Sequence, residues 1–264
     1  MTKQQLEQFK KWFYKYVSAF YSSDDELAND NIRLKEEHTR RMCGDTGIIA
    51  EALGLNEEQK ILAETISLFH DVGRFEQFKK YRTYNDARTI NHSLLGLEVL
   101  ADNKILDGVG DDEKNIIKTA IRLHGEKDLP AVSGEAELFA KLIRDIDKLD
   151  IYYVLIEKFN ELGRNPKKAM ATLGFSIENT YSKNVVEAVL KNQTVDYKDL
   201  KTVNDMTIIM LGWIFDINFA ATLKEIKKRG FIDKLISFLP DNEDIRKVTE
   251  HIRRQLDKRI ANNQ

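Results

Sequence analysis

The sequence predicts an all-α fold, and three observations carry that prediction. Only three prolines occur, Pro130, Pro166 and Pro240, so long stretches contain no residue that breaks the helical hydrogen-bond ladder. Those stretches are rich in Leu, Ile, Glu, Lys and Ala, which lose little side-chain freedom in a helix. Alternating apolar and polar runs joined by hairpin turns, the mark of strands, are not found. Roughly ten helices account for the chain on this reading.

The elements follow in order. Trp12, Phe13, Tyr16 and Phe20 make the first helix aromatic on one side, a face expected to dock on the core rather than to dimerise. Ser22-Ser23-Asp24 forms an N-cap cluster for the next helix. There Leu34, His38, Met42, Asp45, Ile49 and Leu53 share one side at spacings of three, four and seven, which turns His38 inward. Asn56-Glu57-Glu58-Gln59 reads as a capping box for a helix ending near His70. Tyr84-Asn85-Asp86 is a turn before the helix on which His92 shares a side with Leu95 and Val99. Asp111-Asp112 starts a further helix that Gly125 stops. Ser133 caps a long helix running to about Leu162, with Gly163 as its stop. Its buried stripe is Phe139, Leu142, Ile143, Ile146, Leu149 and Tyr153, with Asp147 at the edge, Asp150 in the middle and Asp145 towards the other flank.

Gly163 to Asn184 is the most polar stretch, yet it contains Met170, Leu173 and Phe175. The chain is therefore read as one domain over 1–264, with C-terminal helices completing it. Met206 to Phe215 is apolar but too short to span a bilayer, and predicts a buried helix interrupted by Asp216 and Asn218.

Composition narrows the function classes. Hydrophobic residues make up 42% and charged residues 32%, which excludes a disordered or collagen-like chain. A net charge of −2 offers no footprint for duplex nucleic acid or an anionic membrane. The lone thiol, Cys43, excludes a cysteine-rich zinc site and favours a reducing compartment; with no signal-type segment, the cytoplasm is the expected location.

Five histidines occur, at 38, 70, 92, 124 and 251. His70 precedes Asp71 directly. A carboxylate can bridge two cations through its two oxygens, and neutral imidazole supplies nitrogen ligands beside it. A single inward histidine is more often a hydrogen-bonded core residue, and Asp147 alone, within Arg144-Asp145-Ile146-Asp147-Lys148-Leu149-Asp150, is more often a solvated face. Helical angles leave Asp147 and Asp150 both open as the final acidic ligand. His251 has no ligand spacing to the others.

The joint order His38, His70-Asp71, His92, His124, Asp147 resembles the HD superfamily of metal-dependent phosphohydrolases. "SLFHDVGRF" is similar to its His-Asp motif with a following glycine. "INHSLLGLEVL" and "AIRLHGEKD" resemble the extra-histidine motifs of its binuclear branch, and "IRDIDKLD" the closing Asp motif, whose register favours Asp147 over Asp150. The stretch from His70 to Gly96 is also similar to an uncharacterised bacterial subgroup. The resemblance covers about residues 30–160, leaving 1–29 and 161–264 as accessory helices.

It implies one or two divalent cations. His38, His70, Asp71 and Asp147 would hold the first, His92 and His124 the second, with Asp71 bridging. Mn, Fe, Co, Ni or Zn suit such a site, and a carboxylate-rich half suits Mg. The implied reaction is cleavage of a phosphate ester, of a nucleotide or another small phosphomonoester or phosphodiester, by water that the metal activates. Arg74, after the glycine, is a candidate for neutralising phosphoryl charge, or else pairs with Glu76. Arg82, Asp86 and Lys148 are further candidate substrate contacts. Gly125-Glu126-Lys127 follows His124, with neither a second histidine nor Gly-Tyr-Pro, which argues against cyclic di-GMP. Two rivals remain at this point: a di-iron oxygenase built on the same ligands, and a non-catalytic metal or nucleotide binder.

Overall fold

Thr2 begins the first helix. Its hydroxyl accepts from Gln5 N and the Gln5 side chain accepts from Thr2 N, a capping box that opens α1 (Lys3–Ser18). A computed structural model describes residues 1–164, 175–193, 195 and 199–262. Met170 and Leu173, the expected apolar points of the polar stretch, lie outside them.

α2 (Glu26–Ala52) is capped by Asp25, the residue after the expected cluster, which accepts from Ala28 N. The Asn56–Gln59 box opens α3 (Glu57–Phe69) as anticipated, and His70 is its C-cap. α4 (Gly73–Tyr81) begins three residues later and ends at Arg82 in the left-handed region. Asn91 caps α5 (His92–Asp102). Asp111, Asp112 and Glu113 fill the first turn of α6 (Asp111–Leu123), where the helix dipole favours acidic groups. α7 (Glu135–Arg164) starts directly after Gly134 and continues past the expected stop at Gly163. Then come α8 (Lys183–Leu190), α9 (Val203–Gly212), α10 (Ala220–Lys228), α11 (Phe231–Ile236) and α12 (Glu243–Asn262). The described residues include no β-strand, only an isolated bridge between Ser176 and Thr202. None of their helices is long and apolar enough to cross a membrane.

The chain divides into two compact units, Met1–Asp147 and Lys148–Gln264. The dividing point falls inside α7, which runs through it unbroken, so no composition shift marks it.

In the first unit α2 packs on α3 and α4, α4 on α5, α5 on α6, and α3 on α6. α1 docks by its aromatic face, as expected. The rings of Phe9 and Trp12 meet Phe69 at 5.4 and 5.9 Å, and Phe13 meets Phe75 at 5.8 Å. Contacts of this kind bury large apolar areas and add a preferred edge-to-face geometry. Gly73 is essential to the α4–α5 contact. A Cβ there would lie 2.3 Å from the carbonyl oxygen of His92 and 2.5 Å from Gly96 N, so no other residue lets the two backbones approach this closely. Cys43 lies beside buried Met42, and burial pushes its thiol pKa up to about 12.

In the second unit Met206 to Leu211 are buried on α9, and the apolar run closes with a 3₁₀ turn at Trp213–Asp216. The stripe of α7 departs from expectation at one place. Tyr152 is buried and donates from its hydroxyl to Met210 O at 2.6 Å, while Tyr153 is 41% exposed. The stripe steps by three residues from Leu149, which selects Tyr152, and not by four, which would select Tyr153.

Candidate metal centre

Each ligand-type side chain comes from a different place on the helices. His38 sits mid-way along α2. His70 ends α3, and Asp71 occupies the short joint before α4. His92 is the first residue of α5, His124 the C-cap of α6, and Asp147 lies on α7. His38, His70, Asp71, His92 and His124 are buried; Asp147 keeps 22% of its side chain exposed.

The carboxylate of Asp71 lies between two histidine pairs. Its Oδ2 is 3.7 Å from His38 Nε2 and 3.6 Å from His70 Nε2. Its Oδ1 is 3.3 Å from His92 Nε2 and 3.7 Å from His124 Nε2. Asp147 joins the first pair, its Oδ1 lying 3.3 Å from His38 Nε2. Two donor groups result that could hold a metal ion, His38–His70–Asp71 and Asp71–His92–His124, sharing Asp71.

Surrounding groups fix the tautomers. His70 Nδ1 donates to Ser67 O at 2.8 Å and His124 Nδ1 to Ile121 O at 2.7 Å, because a carbonyl can only accept. His92 Nδ1 donates to Asp86 Oδ2 at 2.5 Å. In the neutral ring each then carries its lone pair on Nε2, facing the cluster. Burial lowers the pKa of His70 to about 3 and of His92 to about 4. At neutral pH, therefore, nitrogens stand 3.2 Å apart between His38 and His70 and 2.9 Å apart between His92 and His124 with no proton on His70 or His92 to bridge them. Burial works against ionising Asp71, but Lys35, His70 and Arg74 hold its carboxyl well below the usual range. Asp147 is likewise held low against its burial, by His38. Converging nitrogen lone pairs around an ionised carboxylate fit a divalent cation, which supplies the positive charge that this buried donor set needs.

Arg74, expected at the phosphoryl group or on Glu76, is engaged elsewhere. It donates to Asp71 Oδ1 at 3.3 Å, to Gln77 Oε1 at 2.9 Å, and to Tyr84 O and Asp86 Oδ1 at 2.7 Å each. Asp86, expected at the substrate, accepts from Arg74, from Gln77 Nε2 at 2.8 Å and from His92. Despite partial burial, these donors hold its carboxyl below the usual range, so it stays an acceptor that orients His92. Arg82 pairs with Asp25 at 2.6 Å, and in the second unit Lys148 pairs with Asp216 at 2.8 Å. Asp150 is buried in that second unit, and His251 there meets Asn192 Oδ1 at 2.8 Å.

Three residues at or behind the cluster were missed from the sequence. Lys35 places its Nζ 2.7 Å from Asp71 Oδ2. It precedes His38 by one helical turn, a spacing that shares a face and was available as a signal. Gln77 is fully buried and ties Asp86 to Thr89 and Ile90 O. Arg144, buried in a string that reads as charged surface, donates to the carbonyls of Leu123 and His124 at 3.4 Å, of Lys127 at 3.1 Å, and of Glu126. It thereby closes the end of α6 that carries His124.

Residues 36–152 match the family model described as HD domain. Over this segment the chain is similar to HD domains. The matched segment contains every one of the converging histidines and acids, and lies within the span that the motifs indicated. No curated protein and no solved structure matches the chain. The match suggests the metal-dependent phosphohydrolase superfamily, and the buried His/Asp groups could bind metal ions.

Proposed function

We propose that this chain hydrolyses a phosphate ester, of a nucleotide or another small phosphorylated molecule, with two divalent cations sharing Asp71. The observation that supports this reading is the placement of one ionised carboxylate with an oxygen towards each of two histidine pairs. His38, His70, Asp71 and Asp147 would hold one cation, and Asp71, His92 and His124 the other. Nitrogen and oxygen donors together suit Mn, Fe, Co, Ni or Zn, and the half containing both acids also suits Mg. When bound, such cations lower the pKa of water towards ~7 and neutralise phosphoryl charge.

The chain's own residues do the rest. The carbonyls of Ser67 and Ile121 and the carboxylate of Asp86 keep three rings in the ligating tautomer, so no proton has to leave Nε2 when the site fills. Arg74 acts through Asp71 and Asp86, holding both carboxylates in place, and is a positioning residue on this geometry. No serine or cysteine nucleophile is needed.

Elemental analysis of the purified protein, joined to a phosphate-release screen over nucleotides and sugar phosphates, tests the proposal. Asp71→Ala should lose bound metal and turnover together, because it removes a ligand common to both cations. Full phosphatase activity in that variant, or substrate-dependent oxygen uptake in place of phosphate release by the wild type, would overturn the reading.

A further inference from the structure

We propose that Lys35 binds the phosphoryl oxygens of the substrate, exchanging Asp71 for them when cations occupy the site. The inference rests on the metal-dependent reading above and adds the side chain that meets the substrate's charge.

Lys35 Nζ lies 2.7 Å from Asp71 Oδ2, the same oxygen that faces His38 and His70. Its ammonium therefore already engages the carboxylate oxygen that a cation held by His38 and His70 would use. An Oδ2 that has taken a divalent cation has little left to offer an ammonium, and the two positive charges repel. Lysine can respond. Its charge is a compact point on a flexible four-carbon stem, and 19% of its side chain reaches solvent whereas Asp71 keeps 4%. The ring of Tyr84 lies 5.5 Å from Nζ and is fixed by its own hydroxyl, which donates to Asn31 O at 2.8 Å. That ring gives the released ammonium a wall beside the cluster.

The other cation at the cluster cannot take this part. Arg74 is committed to four acceptors, and turning it towards a substrate would take the charged donor from Asp86 and the side-chain donor from the Tyr84 carbonyl. Lys35 has one ion-pair partner to give up, and the proposed chemistry removes that partner. A charge-assisted hydrogen bond to an oxyanion replaces it.

The test compares wild type with Lys35→Met, Lys35→Gln and Lys35→Arg. Calorimetry reads Mn²⁺ binding to the metal-free protein, then inorganic phosphate binding to the Mn²⁺-loaded protein. K35M and K35Q should bind Mn²⁺ at least as tightly as wild type, since a competing charge is gone, yet bind phosphate about tenfold more weakly. K35R should keep most of the phosphate affinity. Parallel weakening of Mn²⁺ and phosphate in K35M and K35Q would show that Lys35 only props Asp71, and unchanged phosphate binding would overturn the inference while leaving the metal-dependent reading intact. A wild type that takes up no Mn²⁺ or any other divalent cation would overturn both. Using two neutral variants keeps the comparison open if one does not fold.

Discussion

Asp86 shows how a residue beside a cluster controls it. Its Oδ2 accepts from the Nδ1–H of His92, and its Oδ1 is shared by Arg74 and Gln77. Asp86→Asn removes the charge that selects the His92 tautomer, so affinity for the second cation should fall about 10–100-fold; a metal titration that still shows two equal sites would contradict this. Gly73 acts by having no side chain. Gly73→Ala would drive a Cβ into the backbone of His92 and Gly96, at a cost of at least about 1–3 kcal/mol, and should lower both melting temperature and metal content. Gly125 plays a milder part, since a Cβ there would stand 3.2 Å from His92 Cε1. The residues that converge were legible because their motifs resemble those of a known family; helical angles turned His38 inward but left Asp147 and Asp150 both open. The supporting residues were less so, because Arg144 stands in a string that reads as charged surface and Lys35 offers only its one-turn spacing from His38.

At the scale of elements, the site is an assembly of helix ends. His70, His92 and His124 lie at the end of α3, the start of α5 and the end of α6, so the caps that fix those ends also fix these three rings. Arg144 is one such device. Arg144→Met would strip the carbonyls of Leu123, His124, Glu126 and Lys127 of a buried donor; each buried acceptor left unpaired costs about 1–3 kcal/mol. Lower melting temperature with weaker metal binding is the expected result, and a wild-type metal affinity in a folded variant would count against the role. Asn56 supplies the contrast. Its capping box sits at the far end of α3 from His70, so Asn56→Ala should cost about 1 kcal/mol of stability and leave metal affinity unchanged. Helix starts were readable to within a residue or two, since caps are local chemistry. The choice of Tyr152 over Tyr153 was not, because it depends on which way a long stripe drifts around its helix.

For the molecule as a whole, pH should govern stability through the cluster. His70 and His92 have native pKa values of about 3 and 4, below the ordinary 6.5. As pH falls through 6.5 the unfolded chain takes up protons that the native state refuses until far lower. Their contribution is thus fully present above 6.5 and shrinks as pH drops towards 4. In a chelator the melting temperature should fall from pH 7.5 to pH 5, and a flat profile would sink the argument. Added Mn²⁺ should raise it at neutral pH, by mass action on the native state. The two compact units meet in sequence at Asp147, inside an unbroken helix that carries no linker chemistry. Cys43 gives the first unit its own reporter. With its pKa raised from 9.0 to about 12, the native thiol offers about a thousandfold fewer thiolates than an unfolded one. Alkylation at this single sulfur should therefore run far more slowly in the folded unit than in denaturant, and a further slowing by Mn²⁺ would report how firmly a bound ion keeps the helices shut.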